Sequence, residues 1–187
     1  MKVLKINDVS FSALKELEPC SLQAKPDQNS YLAKALSKEP NARPFGWQKL
    51  SGMPWWVGYG ATGVDYFNKT RSGLYAQIGP DTVWTQEQAD ERFMKDLVDV
   101  GNKVYTMLSP NAFEALNCNQ YAVLVSFAKS MGLGALRNSN LIRIVNDCKF
   151  DLVPDDLNRW TNLKGKRVDD LVKRRTQEIR LFLTPET

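Results

Sequence analysis

The stretch Asn119–Gly132, NQYAVLVSFAKSMG, constrains this chain more than any other. Its apolar residues fall on nearly every face of a helical wheel. A helix of that kind cannot lie on a surface and must be enclosed by other elements. Gly132 and Gly134 mark its end. At 187 residues the chain is long enough to enclose one such helix within a single domain.

The enclosing helices are legible on both sides. Thr85 followed three residues later by Gln88 forms a capping box. Phe93, Leu97, Val100, Val104 and Met107 then recur at helical spacing. Ser109–Pro110 is a second helix start, a cap followed by proline at the first helical position. Ser139–Asp147, Asp155–Trp160 and Val168–Leu183 are predicted as three more helices. The last carries Val168, Leu171, Val172, Ile179, Phe182 and Leu183 on its apolar side.

The N-terminal part reads differently. Asp8 or Ser10 caps a short first helix with Phe11, Leu14 and Leu17 at helical spacing. Pro19 and Pro26 make 19–29 a turn or irregular extended segment. Residues 31–39 are predicted as a short helix bearing Leu32 and Leu36, and 40–54 as loop. WWVGYGATGVDYF (55–67) is rich in aromatic, β-branched and glycine residues, which predicts one or two short strands. Residues 68–84 are turn-rich. The expected class is α+β, one domain over 1–187 with a β-rich lobe at 55–84 and a helical lobe at 85–187.

Composition excludes several chemistries. The chain has no histidine, so it has no Ser–His or Cys–His nucleophile pair and no His-ligated metal. Acid–base chemistry falls to carboxylates, Lys, Tyr or Cys. Cys20, Cys118 and Cys148 are widely spaced, neither a disulfide framework nor a metal set, and suit a reducing compartment. The net charge of +4 allows attraction to an anionic polymer without marking a nucleic-acid binder. The basic run from Lys164 through Arg167 to Lys173, Arg174 and Arg175 is interrupted by Asp169, Asp170 and Glu178, the pattern of a solvated helix face. No apolar run is long enough for a membrane span, and MKVLKINDVSF turns polar too early for a signal peptide. A cytoplasmic product is expected.

WTQEQADERFMKDL, NQYAVLVSFAKSMGLGALRNSNLIRI and DDLVKRRTQEIRLFL, in that order, resemble the phage-type lysozymes, the endolysins of glycoside hydrolase family 24. GYGATG (58–63) is similar to the family's GYGHTG. LKELEPCSLQAKPD (14–27) lines up with its catalytic segment and places Glu18 and Asp27 nine positions apart, as the family signature requires, with Glu18 ending the first helix. The resemblance implies a lysozyme-like fold with a small β-containing N-terminal lobe, a mainly helical C-terminal lobe and a cleft between them. It implies a muramidase acting on bacterial peptidoglycan. Glycoside hydrolysis uses a carboxylic acid that protonates the leaving oxygen and a carboxylate that activates water or stabilises the cationic centre. By resemblance Glu18 is the acid and Asp27 its partner. Arg174 and Arg175 match a paired Arg of the last helix, and either could orient Glu18. Lys129 and Ser130 fall where the family's cleft-lining pair stands, and Trp56 and Tyr59 are aromatics that could stack on sugar rings or form the core of the small lobe. No metal or organic cofactor is implied. The protein would act from the host cytoplasm, reaching the wall through a holin or in a virion.

The departures from the family cluster at the cleft. The signature Thr corresponds to Ala33 when counted without a gap and to Trp56 when aligned on GYG. Neither carries an aliphatic hydroxyl to hold water. The Gly after the Glu is Pro19, the Tyr before the Asp is Lys25, and the His after GYG is Ala61. The family's Phe–Asn pair is Lys129–Ser130. Residues 28–54 form an insertion about 23 residues longer than the family's connection, and such lengths usually serve a function. Phe45 and Trp47 within it form a candidate platform for a glycan or a protein partner. Two readings follow. The insertion builds a modified cleft for the same reaction, or the fold persists as an inactive binding, inhibitory or virion structural component.

Overall fold

The structure is a computed structural model that describes residues 2–30, 33–34, 54–163 and 165–186. It divides into two compact units, Glu18–Phe93 and the pair of segments Met1–Leu17 and Met94–Thr187.

The helical unit contains α1 (Asp8–Glu16), most of α2 (Gln86–Tyr105), α3 (Pro110–Ala115), α4 (Cys118–Met131), α5 (Leu133–Asn138), α6 (Asn140–Asn146), α7 (Val153–Asn158) and α8 (Asp169–Leu183). A two-residue ladder, β5 (Asn162–Leu163) with β6 (Lys166–Arg167), precedes α8. Helix α4 is the enclosed element that its sequence demands. Ten of its fourteen residues are buried, from Cys118 to Ala128. α1, α5 and α8 pack against it. Asn117 caps it with a reciprocal box to Gln120, so the helix starts one residue before the predicted Asn119. Gly101 lies where α2 meets α4. A Cβ there would stand 2.7 Å from the Tyr121 hydroxyl, so the approach of the two helices depends on a bare backbone.

Among its described residues the β-bearing unit holds two antiparallel pairs. β1 (Ser21–Pro26) pairs with β2 (Trp55–Gly58), matching Lys25 to Trp56 and Pro26 to Trp55. β3 (Val64–Lys69) pairs with β4 (Tyr75–Gln77). Asp65, 1% exposed, ties this unit together. Its carboxylate accepts hydrogen bonds from the Trp84 indole at 3.1 Å, the Phe67 amide at 3.1 Å and the Asn68 side chain at 2.8 Å. The unit closes with the first residues of α2, where the Thr85–Gln88 box forms as the sequence predicts. Arg92 reaches back to the carbonyls of Val64 and Thr62.

Several expectations change. Asn7, not Asp8 or Ser10, caps α1; Ser10 is the third residue of the box and is wholly buried. α1 ends at Glu16 with Leu17 as its cap, so Glu18 lies just beyond the helix. The 19–29 segment contains a true strand, because Pro26 sits at its last position, where a missing N–H interrupts no further pairing. The turn-rich 68–84 segment contains β4. Of the predicted 31–39 helix only Ala33 and Lys34 are described, both helical, and Phe45 and Trp47 lie outside the described residues.

Candidate active site

The strand pair β1–β2 builds a surface cleft within the β-bearing unit. Side chains alternate faces along a strand, so Lys25 and Asp27 emerge on the same side. Lys25 is matched across the ladder by Trp56, and its ammonium stands 5.8 Å from the Trp56 ring centroid. Glu18, on the segment leading into β1, lines the same cleft. The cleft is open and has a volume of about 670 Å³. Trp56, Tyr59, Gln28 and Ala33 also line it, with Pro19, Pro26 and Gly60.

Asp27 is held by its own turn. Its side-chain oxygen accepts the Asn29 amide at 2.8 Å, its backbone amide donates to the Pro54 carbonyl at 3.1 Å, and its carbonyl accepts from Ser30 at 2.9 Å. The carboxylate is therefore fixed at the point where β1 leaves the ladder. The Asn29 bond leaves the carboxylate further acceptor capacity for a water or a sugar hydroxyl.

Tyr59 forms one wall. Its ring packs on Phe93 at 4.7 Å between centroids, and its hydroxyl donates to Asp90 at 3.0 Å while accepting from Gln86 at 2.9 Å. Burial, and then the Asp90 carboxylate, push this hydroxyl up to about 12. Tyr59 thus stays neutral and contributes shape. Gly58 makes this placement possible. It sits at φ +62°, and a Cβ there would meet the Trp84 ring at 3.2 Å and Ala89 at 3.3 Å.

The structure brings together Glu18, Asp27, Trp56 and Tyr59. Both candidate positions for the family Thr, Ala33 and Trp56, also border this cleft. The other residues singled out from the sequence, Lys129, Ser130, Arg174 and Arg175, belong to the helical unit. Arg175 is not a surface ligand there. It is 0% exposed, paired with the equally buried Glu178 at 3.0 Å, and donates to the Ser130 hydroxyl at 2.9 Å. Its guanidinium lies 5.0 Å over the Phe127 ring. Arg174 differs from its neighbour: it donates to the Leu17 carbonyl at 3.1 Å and so fixes the end of α1. Lys129 is half-buried at the last turn of α4.

Lys25 and Gln28 were not among the site residues expected from sequence. The signal for Lys25 was its two-residue offset from Asp27, which carries meaning only once 21–26 is known to be a strand.

The phage lysozyme profile matches residues 43–178, well over half of the sequence. The chain belongs to the phage lysozyme family. Endolysins of Bacillus phages B103 and PZA are 32% and 33% identical over 131 and 129 residues, or 70% and 67% of this chain. The matches cover 44% and 43% of those proteins, so this chain spans about half the length of the curated relatives it matches. A crystal structure of a P22 lysozyme mutant shares the fold with a TM-score of 0.67 at 22% identity, over 97% of this chain and all of the other. The family match includes GYG and the helical body and begins downstream of Glu18 and Asp27. The α+β lysozyme-like fold is thus established by the family and by the P22 likeness together.

Proposed function

We propose that this protein is a peptidoglycan hydrolase that cleaves the bond between N-acetylmuramic acid and N-acetylglucosamine. The observation that carries the reading is the meeting of Glu18 and Asp27 in one open cleft walled by Trp56 and Tyr59. Glu18 donates a proton to the leaving oxygen. Asp27, anchored by the Asn29 amide, activates water or stabilises the oxocarbenium-like centre. Trp56 offers a face for stacking on a sugar ring, and Tyr59 also lines the cleft. Delivery to the wall is by a holin or in a virion, from the host cytoplasm.

A second reading has a specific observation in its favour. Ala33 and Trp56 both reach the cleft, and neither supplies the aliphatic hydroxyl of the family's Thr. A lysozyme fold that binds a glycan or protein, without hydrolysis, would tolerate that loss. Its partner surface would include the 28–54 insertion.

The test is loss of turbidity in purified, outer-membrane-stripped cell walls, with wild type beside Glu18→Gln. Clearing by the wild type alone is expected. Clearing by both proteins removes Glu18 from the role of acid. No clearing by either, with both folded, selects the binding reading.

A further inference from the structure

Among the described residues that line the cleft, Glu18 and Asp27 are acidic and Lys25 is basic. Lys25 is exposed, belongs to the strand that delivers Asp27, and keeps its ammonium 5.8 Å from the Trp56 ring centroid. The ring covers one side of the ammonium and restricts its sweep. A cation confined beside an aromatic face is suited to a substrate unit that combines a ring with an anionic substituent. The ring stacks on Trp56 while the anion meets the ammonium.

We propose that Lys25 determines specificity by binding a carboxylate carried by the glycan, so that the cleft prefers acidic muramyl strands to neutral N-acetylglucosamine polymers. This rests on the hydrolase reading for its substrate class. The carboxylate has two sources, the lactyl group of a peptide-free muramyl residue and the stem peptide of a substituted one. A charge-assisted pair of this kind, partly screened by water, is lost when the ammonium is replaced by an uncharged stem of similar length.

The experiment measures equilibrium binding in the Glu18→Gln background, which separates binding from turnover. The probes are peptide-bearing muramyl oligosaccharides, the same strands after amidase removal of the peptides, and chitin oligosaccharides of equal length. Lys25→Met is expected to weaken binding of at least one muramyl probe about tenfold and to leave chitin binding unchanged. Lys25→Arg is expected to restore most of the loss, and salt at about 1 M to reduce the difference to about twofold. Loss on the peptide-bearing probe alone assigns the stem carboxylate, and loss on the peptide-free probe assigns the lactyl group. Equal losses on muramyl and chitin probes overturn the proposal, as does no loss on any. No binding of any probe overturns both readings. Release of reducing ends by the protein with Glu18 intact is followed separately. Selective binding without such release retains Lys25 as a selector and rejects hydrolysis. Release that Lys25→Met leaves unchanged on every glycan retains hydrolysis and rejects the selector.

Discussion

In the β-bearing unit, Glu18 and Asp27 border an open cleft within reach of water. In the helical unit, Glu178 and Arg175 are each 0% exposed. Glu178 accepts the Ser126 hydroxyl at 2.6 Å on one oxygen and faces Arg175 at 3.0 Å with the other. Burial pulls the Arg175 guanidinium below its ordinary value, against the opposing pull of Glu178. Both regions mix carboxylates with cations, but the physical consequences differ. A charge at a wet surface has little leverage on folding. A charge stripped of water must be answered by a fixed partner, and the partner then holds the elements that carry it. α4 and α8 are joined in this way, through Ser126, Ser130, Arg175 and Glu178.

The sharpest way to break this contrast is Glu178→Ala. It leaves Arg175 as an uncompensated buried cation, and the expected loss is about 3–5 kcal/mol of unfolding free energy. Urea titration followed by circular dichroism reads it directly. Replacing both residues with apolar side chains, Arg175→Met with Glu178→Leu, should cost less than Glu178→Ala alone, since no orphan charge remains. A loss below about 1 kcal/mol for Glu178→Ala would show that water reaches the pair.

The next effect tests the β-bearing unit. Gly58→Ala combines an unfavourable positive φ of +62° with Cβ contacts of 3.2 Å to Trp84 and 3.3 Å to Ala89. The expected destabilisation is about 2 kcal/mol. Trp84 fluorescence should change in the folded state of this variant, because the added methyl presses on that ring. An unchanged spectrum and midpoint would mean that the turn absorbs the methyl by relaxing.

How much of this was readable beforehand follows from the range of the interactions involved. α4 was legible because its apolar circumference is a property of fourteen consecutive residues. The caps at Thr85 and Ser109 were legible because they act over three residues. β1 was missed because Pro19 and Pro26 dominate a short window, while the partner that makes 21–26 a strand lies at 55–58. The Arg175 role was missed for the same reason. RR beside Glu178 looks like a solvated face until Ser126 and Ser130, distant in sequence, are seen beneath it. Glu18 and Asp27 were legible only through the family resemblance, since nine residues of spacing have no chemical meaning of their own.

The two units can also be compared through one buried tyrosine each. Burial pushes the hydroxyls of Tyr59 and Tyr121 up to about 12 from 10.0. With rising pH the unfolded chain loses these protons first. Between pH 10 and about 12 the folded state therefore binds more protons, and stability falls as pH rises. Below pH 10 the contribution is fully present. Tyr59→Phe and Tyr121→Phe should each flatten the decline, read from urea midpoints at about pH 9 and 11. At neutral pH Tyr59→Phe should cost about 1 kcal/mol. Gln86 and Asp90 remain bonded to each other at 2.7 Å, so no orphan is created. An undiminished slope in both variants would assign the alkaline loss to lysines.

The smallest expected effect is the most informative about the cleft. Glu18→Gln keeps the shape of a half-buried side chain that lines the cleft. Its unfolding free energy should lie within about 0.5 kcal/mol of the parent, even as wall clearing is abolished. Asp27→Asn should behave likewise, since the amide oxygen can still accept from Asn29. A stabilisation above about 1 kcal/mol in either variant would indicate that the two carboxylates strain each other, energy that the folded cleft holds at the expense of stability. A destabilisation of that size would mean that the carboxylate anchors the chain as Glu178 does. The cleft would then be a second structural charge site, and the contrast between the two units would fail.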